Sequence, residues 1–182
     1  MRVITGSARG TKLNTLSGND VRPTAEQVKE ALFSSIHFQL EGSSVLDLFA
    51  GSGQLGIEAL SRGADFAVFC DSSKAATDII EKNLEACHFS KERFYIHKGD
   101  FTSFLRTTSK KFDFCFLDPP YNAGLYEDAF TGLENVMKED GVILCEHPKE
   151  LPFNDCYGNF VKVKDYRFSR IIISKYVFKD NA

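Results

Sequence analysis

Two short segments carry residue types whose spacing could do chemistry. In the first, Ala50-Gly51-Ser52-Gly53-Gln54-Leu55-Gly56, glycines at 51, 53 and 56 make a G-x-G-x-x-G pattern. Gly51 permits a tight turn, and Gly53 lets a ligand approach the backbone. A helix opening directly after the turn would offer free N–H groups. Asp71 follows 20 positions after Gly51. A carboxylate there can accept hydrogen bonds from both hydroxyls of a ribose. The pattern up to this point suits a dinucleotide as well as any other nucleoside ligand. Asp47, just before the turn, weighs against a pyrophosphate, which it would repel; the amino group of S-adenosylmethionine would be attracted. Asp100, after Gly99, can reach the amino group of an adenine.

The second segment is Asp118-Pro119-Pro120-Tyr121. Two prolines remove N–H donors and stiffen the chain, leaving carbonyls free to accept. The exocyclic amine of a nucleobase is a poor nucleophile because its lone pair is delocalised into the ring. Two acceptors aimed at its N–H groups, Asp118 and the Pro119 carbonyl, favour rehybridisation and turn the lone pair toward an electrophile. Tyr121 can stack on the base, a contact worth roughly 1–3 kcal/mol. Held close to an activated methyl, such an amine gains most of its rate from positioning. A target base inside a duplex must first be extruded.

Both segments need a scaffold that puts them at one end. From residue 44 the chain alternates short apolar β runs with helical stretches. Strands are expected at Val45–Phe49, Phe66–Cys70, Phe94–His97, Phe112–Leu117 and Val142–Cys145. Helices are expected at Gln54–Ser61, Ala75–Ala86, about Thr102–Arg106 and Tyr126–Met137. That order predicts βαβ units and a doubly wound, mostly parallel α/β sheet. Ligands bind at the carboxyl ends of such strands, where both segments fall. Phe160–Tyr166 and Arg170–Phe178 are two runs with a short turn between them, which predicts a hairpin and an antiparallel last strand. Arg22-Pro23-Thr24 opens an earlier helix, with Thr24 as N-cap and Gln27 completing a capping box. Residues 1–20 are rich in Gly, Ser, Thr and Asn and are expected to form a small hairpin extension, with residues 21–182 as the main domain.

The 182 residues are 43% hydrophobic and 26% charged, an ordinary globular composition for one domain. No apolar run approaches the roughly 20 residues of a membrane span. Met1-Arg2-Val3-Ile4-Thr5-Gly6 lacks the layout of a signal peptide, so a cytoplasmic protein is expected. The five cysteines form no C-x-x-C pair and the four histidines do not cluster, so neither a metal site nor a disulfide framework is expected. The net charge of −3 conceals an asymmetry: residues 1–29 carry +3, residues 160–182 carry +4, and the middle carries −10. Two basic ends suit a polyanion.

Asp47-Leu48-Phe49-Ala50-Gly51-Ser52-Gly53 together with Asp118-Pro119-Pro120-Tyr121 resembles the class I S-adenosylmethionine-dependent amino-methyltransferases. Met1-Arg2-Val3-Ile4, Arg9-Gly10, Lys12-Leu13, Val21-Arg22-Pro23-Thr24, Val28-Lys29-Glu30-Ala31-Leu32-Phe33 and Gly56–Ala64 narrow the likeness to the bacterial 16S rRNA guanine-N2 methyltransferases of the RsmD type. The likeness covers nearly the whole chain and is weakest over 147–165. It implies a Rossmann-like, seven-stranded sheet with an N-terminal β-hairpin extension, and methylation of one guanine of 16S rRNA, within the small subunit or an assembly intermediate. It also implies S-adenosyl-L-methionine as cofactor. Asp47, Gly51, Ser52 and Gly53 would hold the methionine part, Asp71 the ribose and Asp100 the adenine. Arg22 and Thr24 would open the helix that packs over the pocket. Asp118, Pro119, Pro120 and Tyr121 would hold the target base, and Arg2, Arg9 and Lys12 the RNA phosphates. The chain departs from the family pattern at Asp71-Ser72-Ser73, which lacks a following basic residue, and after Glu146. A monomer is expected. Three other readings remain open at this stage: an adenine-N6 methyltransferase, which shares D-P-P-Y; a non-catalytic RNA-binding assembly factor; and a nicotinamide dehydrogenase.

Overall fold

A computed structural model describes residues 1–16, 23–120 and 124–182. Its centre is an eight-stranded sheet. The parallel half is β1 (Ser44–Asp47), β2 (Phe66–Asp71), β3 (Phe94–Lys98), β4 (Phe112–Leu117) and β5 (Met137–Pro148). The antiparallel half is β6 (Cys156–Tyr157), β7 (Phe160–Arg167) and β8 (Ile171–Phe178). Their spatial order is β3-β2-β1-β4-β5-β8-β7-β6. Chain direction reverses order between β1 and β4, so the carboxyl ends of these two strands flank a topological switch point. The sheet has one strand more than the seven expected: the two-residue β6 pairs with the start of β7.

Among the described residues there are five α-helices, one before β1 and four between strands: α1 (Pro23–Ser34), α2 (Gln54–Ser61), α3 (Lys74–Ala86), α4 (Phe101–Thr107) and α5 (Tyr126–Leu133). Helix α1 starts at Pro23, where a fixed φ and a missing N–H suit the first helical position. Thr24 therefore lies inside the first turn and not at the cap. Helix α5 stops at Leu133, four residues before the expected Met137. Met137 instead pairs with Phe112, and a bulge between Phe112 and Phe114 absorbs the longer β5.

Two apolar layers result. One holds α1, α2 and α3 against the sheet and includes Phe33, Ile57, Phe69, Ile80 and Phe116. The other holds α4 and α5 and includes Leu46, Phe104, Phe130 and Tyr176. Residues 1–16 fold back on themselves, with Arg2 bridging antiparallel to Lys12. The segment reaches the first layer through Val3, Ala8 and Leu13, all buried. Four of the five cysteines are buried and only Cys156 is exposed. Among the described residues, no helix is long and apolar enough to cross a membrane.

Candidate active site

The glycine turn between β1 and α2 is the best-anchored loop at the switch point. Gly51 and Gly53 adopt φ of +55° and +76°, in the left-handed region that favours glycine. Gly56 is needed for a different reason. A Cβ there would lie 2.3 Å from the Phe69 ring, so the third glycine lets α2 pack closely on β2.

Three side chains clamp this turn from three directions. The Asp71 carboxylate, at the end of β2, accepts the Gly51 N–H at 2.8 Å and the Ser73 N–H at 2.8 Å. Asp47, on β1, accepts the Gly56 N–H at 2.9 Å. Asn83, on α3, donates to the Ser52 carbonyl at 2.9 Å. The first two carboxylates belong to the strands that carry and flank the turn. Asn83 stands out because nothing in its local sequence marks it.

A cleft of about 710 Å³ opens beside the turn at the carboxyl ends of β1, β2 and β4. Gly51, Asp71, Asp100, Asp118, Pro119 and Pro120 line it, so six of the residues selected from sequence meet in one place. Leu48, Phe49, Phe101 and Leu125 add an apolar wall, in which the Phe49 and Phe101 rings lie 4.9 Å apart. These four were not selected beforehand; only their places beside strand ends could have signalled them. Gly51 has open space where a Cβ would sit, so its backbone faces the cleft unobstructed.

The remaining selected residues lie elsewhere. Asp47 is almost fully buried beneath the turn and does not line the cleft. Gly53 is the left-handed N-cap of α2, and Ser52 presents its carbonyl to Asn83. Asp100, one of the six that line the cleft, also caps α4, accepting the Ser103 N–H at 3.1 Å and the Thr102 hydroxyl. Arg22 and Tyr121 lie outside the described residues, and Thr24 is known only as part of α1. Arg2, Arg9 and Lys12 are exposed on the N-terminal segment. The Arg2–Lys12 bridge puts those two side chains on one face, and the Arg2 guanidinium lies 3.5 Å from Glu26.

The field in the cleft is negative. Asp118 is exposed where it opens into the cleft, yet the protein crowded around its carboxyl, with the charges of Glu146 and Asp47, pushes its pKa up. Asp47 is pushed up to about 7 by burial, which outweighs the Gly56 hydrogen bond, with Asp71 adding to the rise. The Cys70 thiol is pushed up to about 12 by burial and then by Asp71, Asp100 and Asp47. All three shifts report one condition: negative charge is hard to hold here, and a positive ligand would relieve it. Among the described lining residues there is no Lys or Arg. Among these described residues a pyrophosphate would meet carboxylates and no counter-charge. A cationic nucleoside, with an adenine against the Phe49–Phe101 wall and hydroxyls at Asp71, fits the donors and acceptors present.

The N-terminal segment is fastened to the helix that leaves the turn. Glu58 of α2 is fully buried and accepts the Ile4 and Thr5 N–H groups at 2.8 and 3.0 Å. Its charge is matched by Lys29 at 3.2 Å and Arg62 at 2.8 Å. Burial outweighs the Glu58 attraction and lowers the Lys29 pKa. One turn on, the Ser61 hydroxyl accepts the Ala8 N–H at 3.0 Å and donates to the Thr5 carbonyl at 2.6 Å.

Known proteins resemble this chain over most of its length. A family model described as Conserved hypothetical protein 95 matches residues 1–177. YlbH of Bacillus subtilis (strain 168) is 36% identical over 169 residues, spanning 90% of this chain and 91% of its own length. Ribosomal RNA small subunit methyltransferase D of Haemophilus influenzae is 37% identical over 156 residues, spanning 84% of this chain and 81% of its own. The solved structure of yhhF from Escherichia coli matches with a TM-score of 0.86 at 29% identity, covering 98% of this chain and 97% of that one. The chain therefore belongs to the Conserved hypothetical protein 95 family, the RsmD family of methyltransferases.

Proposed function

We propose that this protein methylates the exocyclic N2 of a guanine in 16S rRNA, with S-adenosyl-L-methionine as methyl donor. The observation that carries the reading is the meeting of the glycine turn and Asp118-Pro119-Pro120 in one acidic cleft, with no basic residue among the described lining. When bound, S-adenosylmethionine supplies an electrophilic methyl group on a cationic sulfonium centre. Gly51, Asp71 and Asp100 line the part of the cleft suited to its nucleoside, and Asp47 holds the turn from beneath.

Asp118 and the Pro119 carbonyl accept from the guanine amino group, orienting its lone pair. A carboxylate of raised proton affinity is also a suitable acceptor for the proton that the amine gives up after alkylation. Tyr121 is assigned to stacking on the base. The apolar wall of Leu48, Phe49 and Leu125 keeps water from the reacting atoms.

Residues 1–20 act as an RNA-contacting extension of the domain formed by 21–182, with Arg2, Arg9 and Lys12 toward phosphates. The exposed Lys149, Arg167 and Arg170 add positive charge at the carboxyl end of β5, the strand beside β4. Negative cleft and positive flanks suit a polyanion that presents one neutral base inward. The substrate is 16S rRNA within the small subunit or an assembly intermediate, acted on in the cytoplasm by a monomer.

The test incubates the protein with tritiated S-adenosylmethionine and small subunits lacking modifications, and separately with stripped rRNA, then identifies the labelled nucleoside. Label in N2-methylguanosine is expected. Label on adenine would keep the Asp118 chemistry and overturn the guanine assignment. No label, with cofactor bound, would remove the catalytic reading.

A further inference from the structure

Asn83 makes an unusual set of bonds for a side chain on a helix. It is fully buried, and its Oδ1 accepts both the backbone N–H and the side-chain amide of Asn14, at 2.7 and 3.1 Å. Its Nδ2 donates to the Asn14 carbonyl at 3.0 Å and to the Ser52 carbonyl at 2.9 Å. An asparagine side chain has two donors and two acceptor sites, and all four are used. The amide can face only one way, because Ser52 presents a carbonyl and Asn14 a backbone N–H. One buried group thus joins the N-terminal segment to the residue between Gly51 and Gly53.

The other anchors of the segment lead to the same place. Ile4, Thr5, Ser7 and Ala8 are all held by Glu58 and Ser61 of α2, the helix that begins where the turn ends. Residues 1–14 therefore grip the turn at Ser52 and at its outgoing helix. Arg2, Arg9 and Lys12 are interleaved with these anchors and point outward. Pulling on the basic face must be felt at Ser52, whose neighbour Gly51 lines the cleft.

We infer that Asn83 is a positioning residue that couples the N-terminal segment to the glycine turn, so that RNA held on the segment and a nucleoside held on the turn strengthen each other's binding. The inference rests on the proposed roles of the cleft and of the segment. Such coupling is reciprocal, and an effect of about 5-fold or more in either affinity is the usual size.

The test is calorimetric titration of S-adenosylhomocysteine into the full chain, with and without a saturating 16S rRNA fragment. Hydrogen exchange of residues 51–56 is followed in parallel without the nucleoside. In the wild type, RNA should lower the Kd about 5-fold or more and slow exchange in the turn. In Asn83→Ala both effects should vanish, although RNA still binds. A second variant, Gly6→Ala, disturbs the far anchor: its Cβ would fall 1.7 Å from the Ser61 carbonyl oxygen. Its clash lies away from Asn14, Asn83 and Ser52, so it should keep the RNA-free Kd within 2-fold and retain the coupling that Asn83 carries. A folded Asn83→Ala that keeps wild-type coupling overturns the inference, and so does a folded Gly6→Ala that loses it. So does a wild type that binds the nucleoside with no response to RNA, which leaves the proposed function standing. A wild type that binds no S-adenosylhomocysteine refutes both.

Discussion

Asp47→Asn isolates the electrostatic strain beneath the glycine turn. The amide keeps an oxygen for the Gly56 N–H and removes the titratable proton. In the folded wild type Asp47 titrates at about 7, against an ordinary 3.8. Between those values the folded state keeps a proton that the unfolded state has released. The stabilisation this confers is full below about 3.8 and is lost as the pH rises through about 7. From pH 5 to pH 8 the wild type should lose about 2.5 kcal/mol that the asparagine variant does not, at about 1.4 kcal/mol per unit over the part of the window where the two states differ. Urea unfolding of both proteins at four pH values measures this directly, because all other titrations cancel in the difference. The variant should gain on the wild type steadily up to about pH 7 and then level off. Parallel profiles, differing by a constant, would refute the account of Asp47 as a buried carboxyl that resists ionisation.

Asp118→Ala should lower methyl transfer by about 10²-fold or more while the Kd for S-adenosylhomocysteine stays within about 3-fold, checked by single-turnover kinetics and calorimetry. Glu58→Ala strips the caps from Ile4 and Thr5 and leaves Lys29 and Arg62 without their partner. It should cost about 3–5 kcal/mol and lower the Tm by about 10 °C in a thermal melt. Lys12→Ala should weaken rRNA binding and reduce the slope of log K against log salt by about 1, with the same proportional loss on unrelated RNA.

The cleft end of the molecule could be read from sequence because its determinants are local. A strand, a glycine turn and a helix are contiguous, and Asp71, Asp100 and Asp118 each end or follow a strand whose apolar run is visible. What joins these parts was not visible. Asn83 meets Asn14 and Ser52 across 69 and 31 residues, and Glu58 meets Ile4 across 54. On α2 and α3 these polar side chains read as a solvated face until the N-terminal segment is laid over them. Asp47 illustrates a subtler difference. Its position before the turn is plain in the sequence, yet its side chain bonds to the turn from below and does not line the cleft. Helix ends failed for equally physical reasons: Met137 has helical neighbours but is claimed by Phe112 across the sheet, and β6 is two residues long and exists only because β7 lies beside it.

The place of β8 has a consequence for how the chain reaches its native form. β8 is made after β6 and β7, yet it lies between them and β5, bonded to β5 on one side and β7 on the other. Until Ile171–Phe178 exists, β6 and β7 have no edge of the sheet to join. The β5 edge, with Ile143, Leu144 and Cys145 along it, stays open for the same interval. Completion of the sheet thus waits for a late, non-local pairing, the kind that slows folding and exposes a sticky strand edge in the meantime. A protein built this way should show its slowest folding phase, and its greatest tendency to aggregate, at the insertion of that hairpin.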